Sequence, residues 1–427
     1  MRRKNIRDKF PFILSRELRN IIAGQRRVHE KNTRRCGTFS ERTSAAARVL
    51  VIMEKTFRAI SSALCLAIAA AAAVIGWFYA ALPASVSAER GSPCTGAFSA
   101  ADIRTSGGEC GYYLGAIPIK TALVTPTERP MLVPCGTPFG IRLRSEGVMV
   151  VGVTKNSPAE RAGIKKGDVI TEVNGAQIQT NADITTALGE ESVVLLTRGD
   201  STLCVSVQPF CDPDGALKMG AWVRDSAAGI GTLTFYEPKT GSFGGLGHAV
   251  SDETTGSRVP LSSGEITAAE IYDIVKGKQG AAGELCGVIL PDAVAGSLAA
   301  NTAVGVFGTL NEPAGGEALP MAFRQEVKRG PATILATLDG GTPREYSIEI
   351  ERVNLLGMNG SKGMVIRITD PALLEAAGGI VRGMSGSPII QDGRLAGAVT
   401  HVLINDPERG YAVFAQSMVE EMERACG

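Results

Sequence analysis

An apolar run without a charged residue lies near the start of the chain, from 59 to 88. Its length suits a helix that crosses a bilayer, and the Trp-Phe-Tyr stretch at 77–79 suits one membrane interface. Basic residues concentrate before the run, which places the N-terminus in the cytoplasm and the rest outside. Two fates stay open: a retained anchor, or a signal peptide cut after Ala88. A buried soluble helix fits less well, because the run is long and its flanks are asymmetric.

Residues 89–129 are rich in Gly, Ser, Thr and Pro and predict a linker with one strand, AIPIKTALV. Residues 130–209 show a different pattern, in which β-branched and polar positions alternate over several short segments. They predict a compact unit with strands at FGIRL, GVMVVGV, DVITEVNG, SVVLLTR and STLCVSV. Two short helices are predicted within it: SPAERAG, capped by Ser157, and NADITTALGE, capped by Asn181.

Residues 210–427 read as many short strands separated by Gly-rich turns. In REYSIEIERV the apolar residues alternate with polar ones, the period of a half-buried strand, and QDGR predicts a hairpin turn. Only PALLEAAG and QSMVEEMERA predict helices, while TAAEIYDIVKG fits either a helix or a strand. So many strands predict a β-barrel or a pair of barrels.

Charge divides unevenly along the 427 residues. Residues 1–58 carry 16 Lys/Arg and 5 Asp/Glu, whereas the whole chain is only +1, so the part after the apolar run is acidic, at −10. An acidic exported portion argues against a nucleic-acid partner. The basic extension lacks periodicity, and Met53 begins a normal short signal-type segment. We therefore interpret residues 1–58 as a basic cytoplasmic extension. We also expect translation to start near Met53, in which case the residues before Met53 are not translated.

Seven of the nine cysteines follow the apolar run, so any intramolecular pairing leaves at least one unpaired. Cys94 and Cys110, and Cys204 and Cys211, are near enough in sequence to pair in an exported protein. Neither pair has the neighbours of a zinc site, and the exported part has few histidines. The sequence supports no metal and no cofactor.

The unit at 130–209 resembles a PDZ domain, on PFGIRL followed by SPAERAGIKKGDVITEVNG and a helix of about ten residues. Such domains add an extended peptide to a sheet edge and hold its terminal carboxylate with backbone N–H groups. Because Pro138 has no N–H, the resemblance assigns carboxylate binding to Phe139 and Gly140, with Ile141 and Leu143 lining the pocket. The alternatives are a small β-rich spacer, or a groove used within the chain.

The turn in GGIVRGMSGSPIIQD holds more glycine and serine than a hairpin needs. A serine nucleophile requires an exposed Oγ, a base and oxyanion donors. Gly383 permits a turn in which its N–H and that of Ser385 point to one spot, and Gly386 lets substrate backbone approach. This arrangement favours Ser385 over Ser387, which Pro388 leads directly into a strand. The alternative is an ordinary flexible turn.

Histidine is scarce, which narrows the choice of base. His29 precedes the apolar run, so only His248 and His401 remain. His248 ends a Gly-rich strand, in GGLGHAVSD. His401 lies inside the strand GAVTHVLI, where alternation indicates a core or substrate-pocket residue. We predict His248 as the base that takes the proton from Ser385.

The acid that orients the imidazole is predicted to be Asp370, in IRITDPALLEAAG. Asp before Pro is also a standard helix cap, which is the competing interpretation. Asp252, four residues after His248, is the local alternative. The order His248, Asp370, Ser385 is that of chymotrypsin-like proteases.

With a preceding PDZ unit, GTLTFYEPKTGSFGGLGHAVSD and the long block GGIVRGMSGSPIIQDGRLAGAVTHVLINDPERGY resemble the stage IV sporulation protein B (SpoIVB) serine peptidases, from about 58 to 427. The resemblance implies a mainly β protein, with a PDZ domain at 130–209 and a chymotrypsin-like double β-barrel at 210–427. It also implies Ser385, His248 and Asp370 as the triad.

The resemblance further implies a role in sporulation. Such a peptidase is exported across, or anchored in, the forespore inner membrane, with its catalytic part in the intermembrane space. It cleaves itself and then a membrane-bound regulator of the sporulation protein FA type, which releases an intramembrane metalloprotease and activates a mother-cell sigma factor. The alternative is a non-catalytic scaffold of PDZ and barrel units, against which an intact His/Asp/Ser set weighs.

Overall fold

The structure is a computed structural model that describes residues 42–98, 101–106, 109–313, 315–354 and 360–427. Most of the predicted basic extension, with His29, lies outside these residues. Helix α1 (Arg42–Ala81) contains residues 59–81 of the predicted apolar run, and residues 82–88 of the run follow the helix. Within it, Ile52–Trp77 is long and apolar enough to cross a membrane, and its side chains are exposed. The predicted N-terminal apolar helix is confirmed.

The predicted linker at 89–129 is wrong, because these residues belong to a five-stranded sheet with the order β1-β5-β4-β3-β2. Short Gly- and Ser-rich turns between strands gave this segment the composition of a linker. Ala88, the predicted cleavage point, is buried in a strand paired with β5. The predicted cysteine pairs are free thiols in this structure. The strands are β1 (Ser85–Glu89), β2 (Gly96–Phe98), β3 (Ala101–Ser106), β4 (Glu109–Leu114) and β5 (Ile117–Thr127).

The next segment contains the PDZ unit, whose core is built from residues such as Ile170, Ile184 and Val194. Ser157 caps α2 as predicted, by accepting from the Glu160 N–H, whereas Thr180 rather than Asn181 caps α3. The elements are β6 (Met131–Pro134), β7 (Pro138–Val153), α2 (Pro158–Arg161), β8 (Val169–Val173), β9 (Ala176–Gln177), α3 (Asn181–Ala187), β10 (Ser192–Arg198) and β11 (Ser201–Val207).

A first barrel follows from the strand pairings. β7 pairs with β14 and with β16, and the series β14-β15-β18-β17-β16 returns to β7, which closes a ring of six strands. TAAEIYDIVKG is therefore mostly strand. The elements are β12 (Phe210–Cys211), β13 (Leu217–Lys218), β14 (Ala221–Tyr236), β15 (Ser242–Gly245), β16 (Leu261–Val275), β17 (Glu284–Thr302), β18 (Gly305–Leu310) and β19 (Leu319–Pro320).

The second barrel is closed in the order β20-β21-β22-β25-β24-β23 and uses one continuous stretch of chain. Buried Tyr346, Ile348 and Ile350 confirm the predicted alternation, and both predicted helices are present. The elements are β20 (Gly330–Ala336), β21 (Arg344–Val353), β22 (Met364–Ile368), α4 (Pro371–Ala377), β23 (Pro388–Gln391), β24 (Arg394–Leu403), β25 (Asp406–Phe414) and α5 (Ala415–Cys426).

Strand β7 belongs to two units, so the first barrel takes residues from before as well as after the predicted boundary at 209/210. Its first half is a strand of the first barrel, and its second half pairs with β8 of the PDZ unit. The PDZ unit is therefore inserted between the first barrel's strands β7 and β14. The predicted mainly β architecture, with a compact unit at 130–209 and a pair of barrels, is confirmed.

Candidate active site

The turn before β23 has a backbone that requires glycine. Gly383 and Gly386 have φ values of +96° and +100°, in the left-handed region. A Cβ on Gly386 would lie 1.9 Å from the carbonyl oxygen of Thr232 in the first barrel. Met384 anchors the turn in the core of the second barrel, where it is fully buried. The turn is thus a fixed loop at the junction of the barrels rather than a flexible connection.

Ser385 faces a cavity of about 830 Å³ that both barrels line. Its Oγ donates a hydrogen bond to the carbonyl oxygen of Thr400, at 2.7 Å. Ser387 differs: it is fully buried, does not line the cavity, and its hydroxyl has no partner in the described part of the chain. Of the two serines, only Ser385 is placed to meet a substrate.

The backbone around Ser385 is held from the first barrel. Thr232 donates from Oγ1 to the carbonyl oxygen of Gly383, at 2.7 Å, and from its N–H to that of Ser385, at 2.9 Å. The N–H groups of Gly383 and Ser385 make no hydrogen bond to any described residue. Two unpaired donors beside one hydroxyl are what an oxyanion site needs.

His248 lies just beyond β15 and lines the same cavity as Ser385. Leu246 and Gly247 before it both have positive φ, 64° and 68°, which turns the chain sharply into the cavity. Nδ1 lies 2.8 Å from the carbonyl oxygen of Ala249, which assigns the proton to Nδ1 and leaves Nε2 as the basic nitrogen. Burial lowers the pKa of His248, and the bond to Ala249 offsets this only in part. The imidazole is therefore neutral at pH 7.

His401, the alternative base, lies on β24 with its ring centroid 4.8 Å from that of His248. It is exposed rather than part of the core, and it does not line the cavity with Ser385. Partial loss of hydration, together with the nearby His248 and Lys362, lowers the pKa of His401 to about 4. It therefore packs beside His248 as a second neutral ring.

Asp370 lies apart from these groups, at the start of α4. Its carboxylate accepts from the N–H groups of Ala372 at 2.9 Å, Leu373 at 3.2 Å and Ser347 at 3.2 Å, so it caps the helix. It is not among the residues that line the cavity, and its assignment as the orienting acid stays a prediction.

Asp252, the local alternative, does line the cavity, and its carboxylate is bonded to Arg224. Its burial acts to raise the pKa, but hydrogen bonds from Thr255 and the charge of Arg224 outweigh this, so the pKa of Asp252 is lowered. Among the described residues, no cluster of His, Cys, Asp or Glu is arranged to hold a metal.

The predicted peptide site at Phe139, Gly140, Ile141 and Leu143 is not an open edge. These residues lie in β7, which pairs with β14 on one side and with β16 on the other. Phe139, Ile141 and Leu143 are buried in the core of the first barrel. A peptide cannot add to this strand while both neighbours are in place. The sequence FGIRL has the pattern of any half-buried strand, and it gave no sign that a later strand would cover it.

Thr232 and Thr400 were not predicted from the sequence, and they hold the turn around Ser385 and the Ser385 hydroxyl. Thr232 is buried within β14, and Thr400 is buried within β24. Both lie in mainly apolar stretches, GIGTLTF and GAVTHVL, which also contain Thr234 and His401. A hydroxyl in such a strand indicates a buried hydrogen bond, but this signal does not distinguish Thr232 from Thr234.

Two six-stranded barrels, with a histidine from the first and a serine from the second lining one shared cavity, form a double β-barrel of the chymotrypsin-like class. The PDZ unit is inserted into the first of these barrels. The model of the SpoIVB peptidase S55 family matches residues 215–419, and that of the PDZ domain matches residues 136–207. Over residues 215–419, which are 205 of its 427 residues, the chain is similar to the SpoIVB peptidase S55 family.

Curated relatives are similar over short stretches. Serine protease HTRA3 of Rattus norvegicus is 39% identical over 67 residues, which is 15% of this chain and 15% of that protein. Serine protease Do-like HtrB of Bacillus subtilis is 45% identical over 64 residues, 15% of this chain and 13% of that protein. This chain thus spans about 15% of the length of the first of these. Among solved structures, the active form of the Rv3671c protease from M. tuberculosis is 18% identical, covers 47% of this chain and 75% of its own, and has a TM-score of 0.27.

Proposed function

We propose that this protein is a membrane-tethered regulatory serine endopeptidase in which Ser385 is the nucleophile and His248 the general base. One observation carries the proposal. Ser385 and His248 come from different barrels, yet they line the same cavity beside two unpaired backbone N–H groups. A nucleophile, a base and oxyanion donors in one cleft are the parts required for acyl transfer.

The proposed reaction begins when Nε2 of His248 takes the Ser385 proton as Oγ attacks the scissile carbonyl carbon. The carbonyl oxygen becomes an oxyanion that the N–H groups of Gly383 and Ser385 stabilise. The protonated imidazole then gives its proton to the leaving amine, and an acyl-enzyme remains on Ser385. Water, activated by the same histidine, releases the acid and restores the serine.

The described arrangement is a resting one in this proposal. The Ser385 hydroxyl is directed at the Thr400 carbonyl, and Nδ1 of His248 at the Ala249 carbonyl. Activation needs rotation of the serine side chain toward Nε2. The proposed role of Asp370 as the acid needs a larger change, because its carboxylate must leave the three N–H groups that it now accepts from.

We extend the proposal to regulation. The spanning segment of α1 suits a protein that acts at a membrane, and the family resemblance supports a place in sporulation, in the space between the forespore membranes. The proposed substrates are the protein itself and a membrane-bound regulator of the FA type, whose cleavage triggers intramembrane proteolysis and sigma factor activation.

A small fluorophosphonate that labels active serines tests the chemistry directly. The full chain in detergent micelles should be labelled at Ser385, whereas the Ser385→Ala variant should melt at the same temperature and remain unlabelled. Ser387→Ala is the matched control and should be labelled like the wild type. Absence of labelling in the folded wild type would favour the alternative, a binding scaffold.

A further inference from the structure

One edge of β14 connects two depressions on the molecule. From Ala221 to Thr232 this strand pairs with β7, and in the described part of the chain it pairs with β15 and β6 only from Leu233 onward. We call the free side of residues 222–230, away from β7, the β14 edge. In an antiparallel strand every second residue directs its N–H and C=O away from the paired neighbour. The β14 edge therefore offers unpaired main-chain groups over most of its length.

The C-terminal end of the β14 edge enters the catalytic cavity. Residues 226–230, which read Ser-Ala-Ala-Gly-Ile, line that cavity together with His248 and Ser385. Small side chains leave the main chain accessible, and a Cβ added to Gly229 would meet nothing within 4 Å. Two residues further on, Thr232 holds the nucleophile loop.

The N-terminal end of the β14 edge reaches the PDZ unit. A second cavity, of about 410 Å³, lies between α3 and the start of β14, and its apolar lining includes Ile184, Leu188, Phe210 and Val223. The N–H of Asn181, at the start of α3, donates to the carboxylate of Asp225, at 3.2 Å. The helix therefore lies directly beside this strand. A groove between a strand edge and a helix is the geometry that accepts an extended peptide.

We propose that one extended segment of a protein substrate pairs along the β14 edge, from the α3 groove to the scissile bond at Ser385. This inference rests on the proposed peptidase function and assigns the substrate track. The binding edge that FGIRL was predicted to provide thus lies on the neighbouring strand. At about 3.3 Å per residue, the eight steps from 222 to 230 span about 26 Å. A substrate must then be unfolded over roughly that length.

The occupant is an extended polypeptide because the track is continuous with the peptidase cavity and offers main-chain groups at its centre. Trp222, 69% exposed on the surface of β14, provides an apolar contact at the far end. Side-chain selection is expected there, at the α3 groove, because the middle of the track has little side chain to select with.

The test measures binding apart from catalysis, in the Ser385→Ala chain in detergent micelles. Labelled β-casein fragments of 6 and 16 residues serve as probes, read by fluorescence anisotropy. The longer fragment should bind more tightly, since only it spans the track. Gly229→Val should raise its Kd about tenfold, because the new side chain projects from the sheet face into the cavity and competes for space with the side chains of a paired segment. Gly315→Val, where an added Cβ also meets nothing within 4 Å, should leave the Kd unchanged.

A second variant tests whether the far end of the track contributes to binding. Trp222→Ala should remove most of the advantage of the 16-residue fragment and leave the 6-residue fragment unaffected. Equal binding by both fragments, or a wild-type Kd in Gly229→Val, overturns the track. Fluorophosphonate labelling of the catalytically intact chain reports on the nucleophile alone, and in the control Gly315→Val it should stay within twofold of wild type. Loss of the proposed function would therefore appear in labelling, and loss of the track in binding.

Discussion

The two barrels have the same six-stranded closure but are assembled differently. The second barrel uses one continuous stretch, from β20 to β25, and the nucleophile loop lies between two of its strands. The first barrel takes β7 from before the PDZ insertion and its other strands from after it. Because the strands of the second barrel are consecutive in the chain, the sequence predicts them well. The first barrel instead depends on pairings between segments that are distant in the sequence. The proposed active site needs both barrels, because the first supplies the proposed base and the second the proposed nucleophile.

The largest expected effect is the loss of peptidase activity when the histidine of the first barrel is removed, compared with the histidine of the second barrel. His248→Ala removes the proposed base from the first barrel and should lower the rate of β-casein cleavage by about 10⁶-fold. His401→Ala removes its neighbour from the second barrel and should lower the rate by only a few-fold. Initial rates measured with matched melting temperatures decide between them. A greater loss in His401→Ala would transfer the role of base to the second barrel.

The junction of the barrels should be nearly as sensitive. Gly386→Ala places a methyl group against the Thr232 carbonyl at a φ of +100°, so we expect a loss of about 4 kcal/mol in unfolding free energy. Gly393→Ala is the control, since it also has a positive φ but meets nothing within 4 Å, and it should cost about 1 kcal/mol. Urea unfolding measures both. Equal costs would show that the junction is loose.

Two core truncations test whether the first half of β7 is part of the first barrel or of the PDZ unit. Leu143→Ala opens a cavity in the first barrel and Ile170→Ala one in the PDZ unit, and each should cost about 2–5 kcal/mol. If β7 belongs to the barrel at this end, only Leu143→Ala should reduce fluorophosphonate labelling at temperatures just below melting. Normal labelling in Leu143→Ala, with loss of peptide binding, would restore the original interpretation of FGIRL as a peptide edge.

Local signals in the sequence were sufficient for the second barrel and for the candidate nucleophile. The alternation in REYSIEIERV, the QDGR turn and the glycines around Ser385 all act within a few residues. The pairing of β14 with β7 joins residues about 90 positions apart in the sequence. The hydrogen bond from Thr232 to the Ser385 turn joins residues about 150 positions apart. Periodicity records which face of a strand is buried but not which strand lies beside it. The same limit affects Asp370, whose local role as a helix cap is visible in the sequence.

The smallest expected effect concerns pH and again contrasts the two histidines. Burial lowers the pKa of His248, so labelling of Ser385 should stay constant above pH 7 and fall in acid with an apparent pKa below the ordinary 6.5. For His401, the folded pKa of about 4 lies below its unfolded value, so the unfolded chain binds more protons between pH 6.5 and 4. Its neutral form therefore stabilises the fold above pH 6.5, and this contribution is lost as the pH falls through that window. His401→Gln should flatten that part of the stability profile without moving the labelling pKa of His248 by more than a few tenths, since burial is the main cause of its shift. A large movement of the labelling pKa would show instead that the second barrel sets the basicity of the residue that the first one supplies.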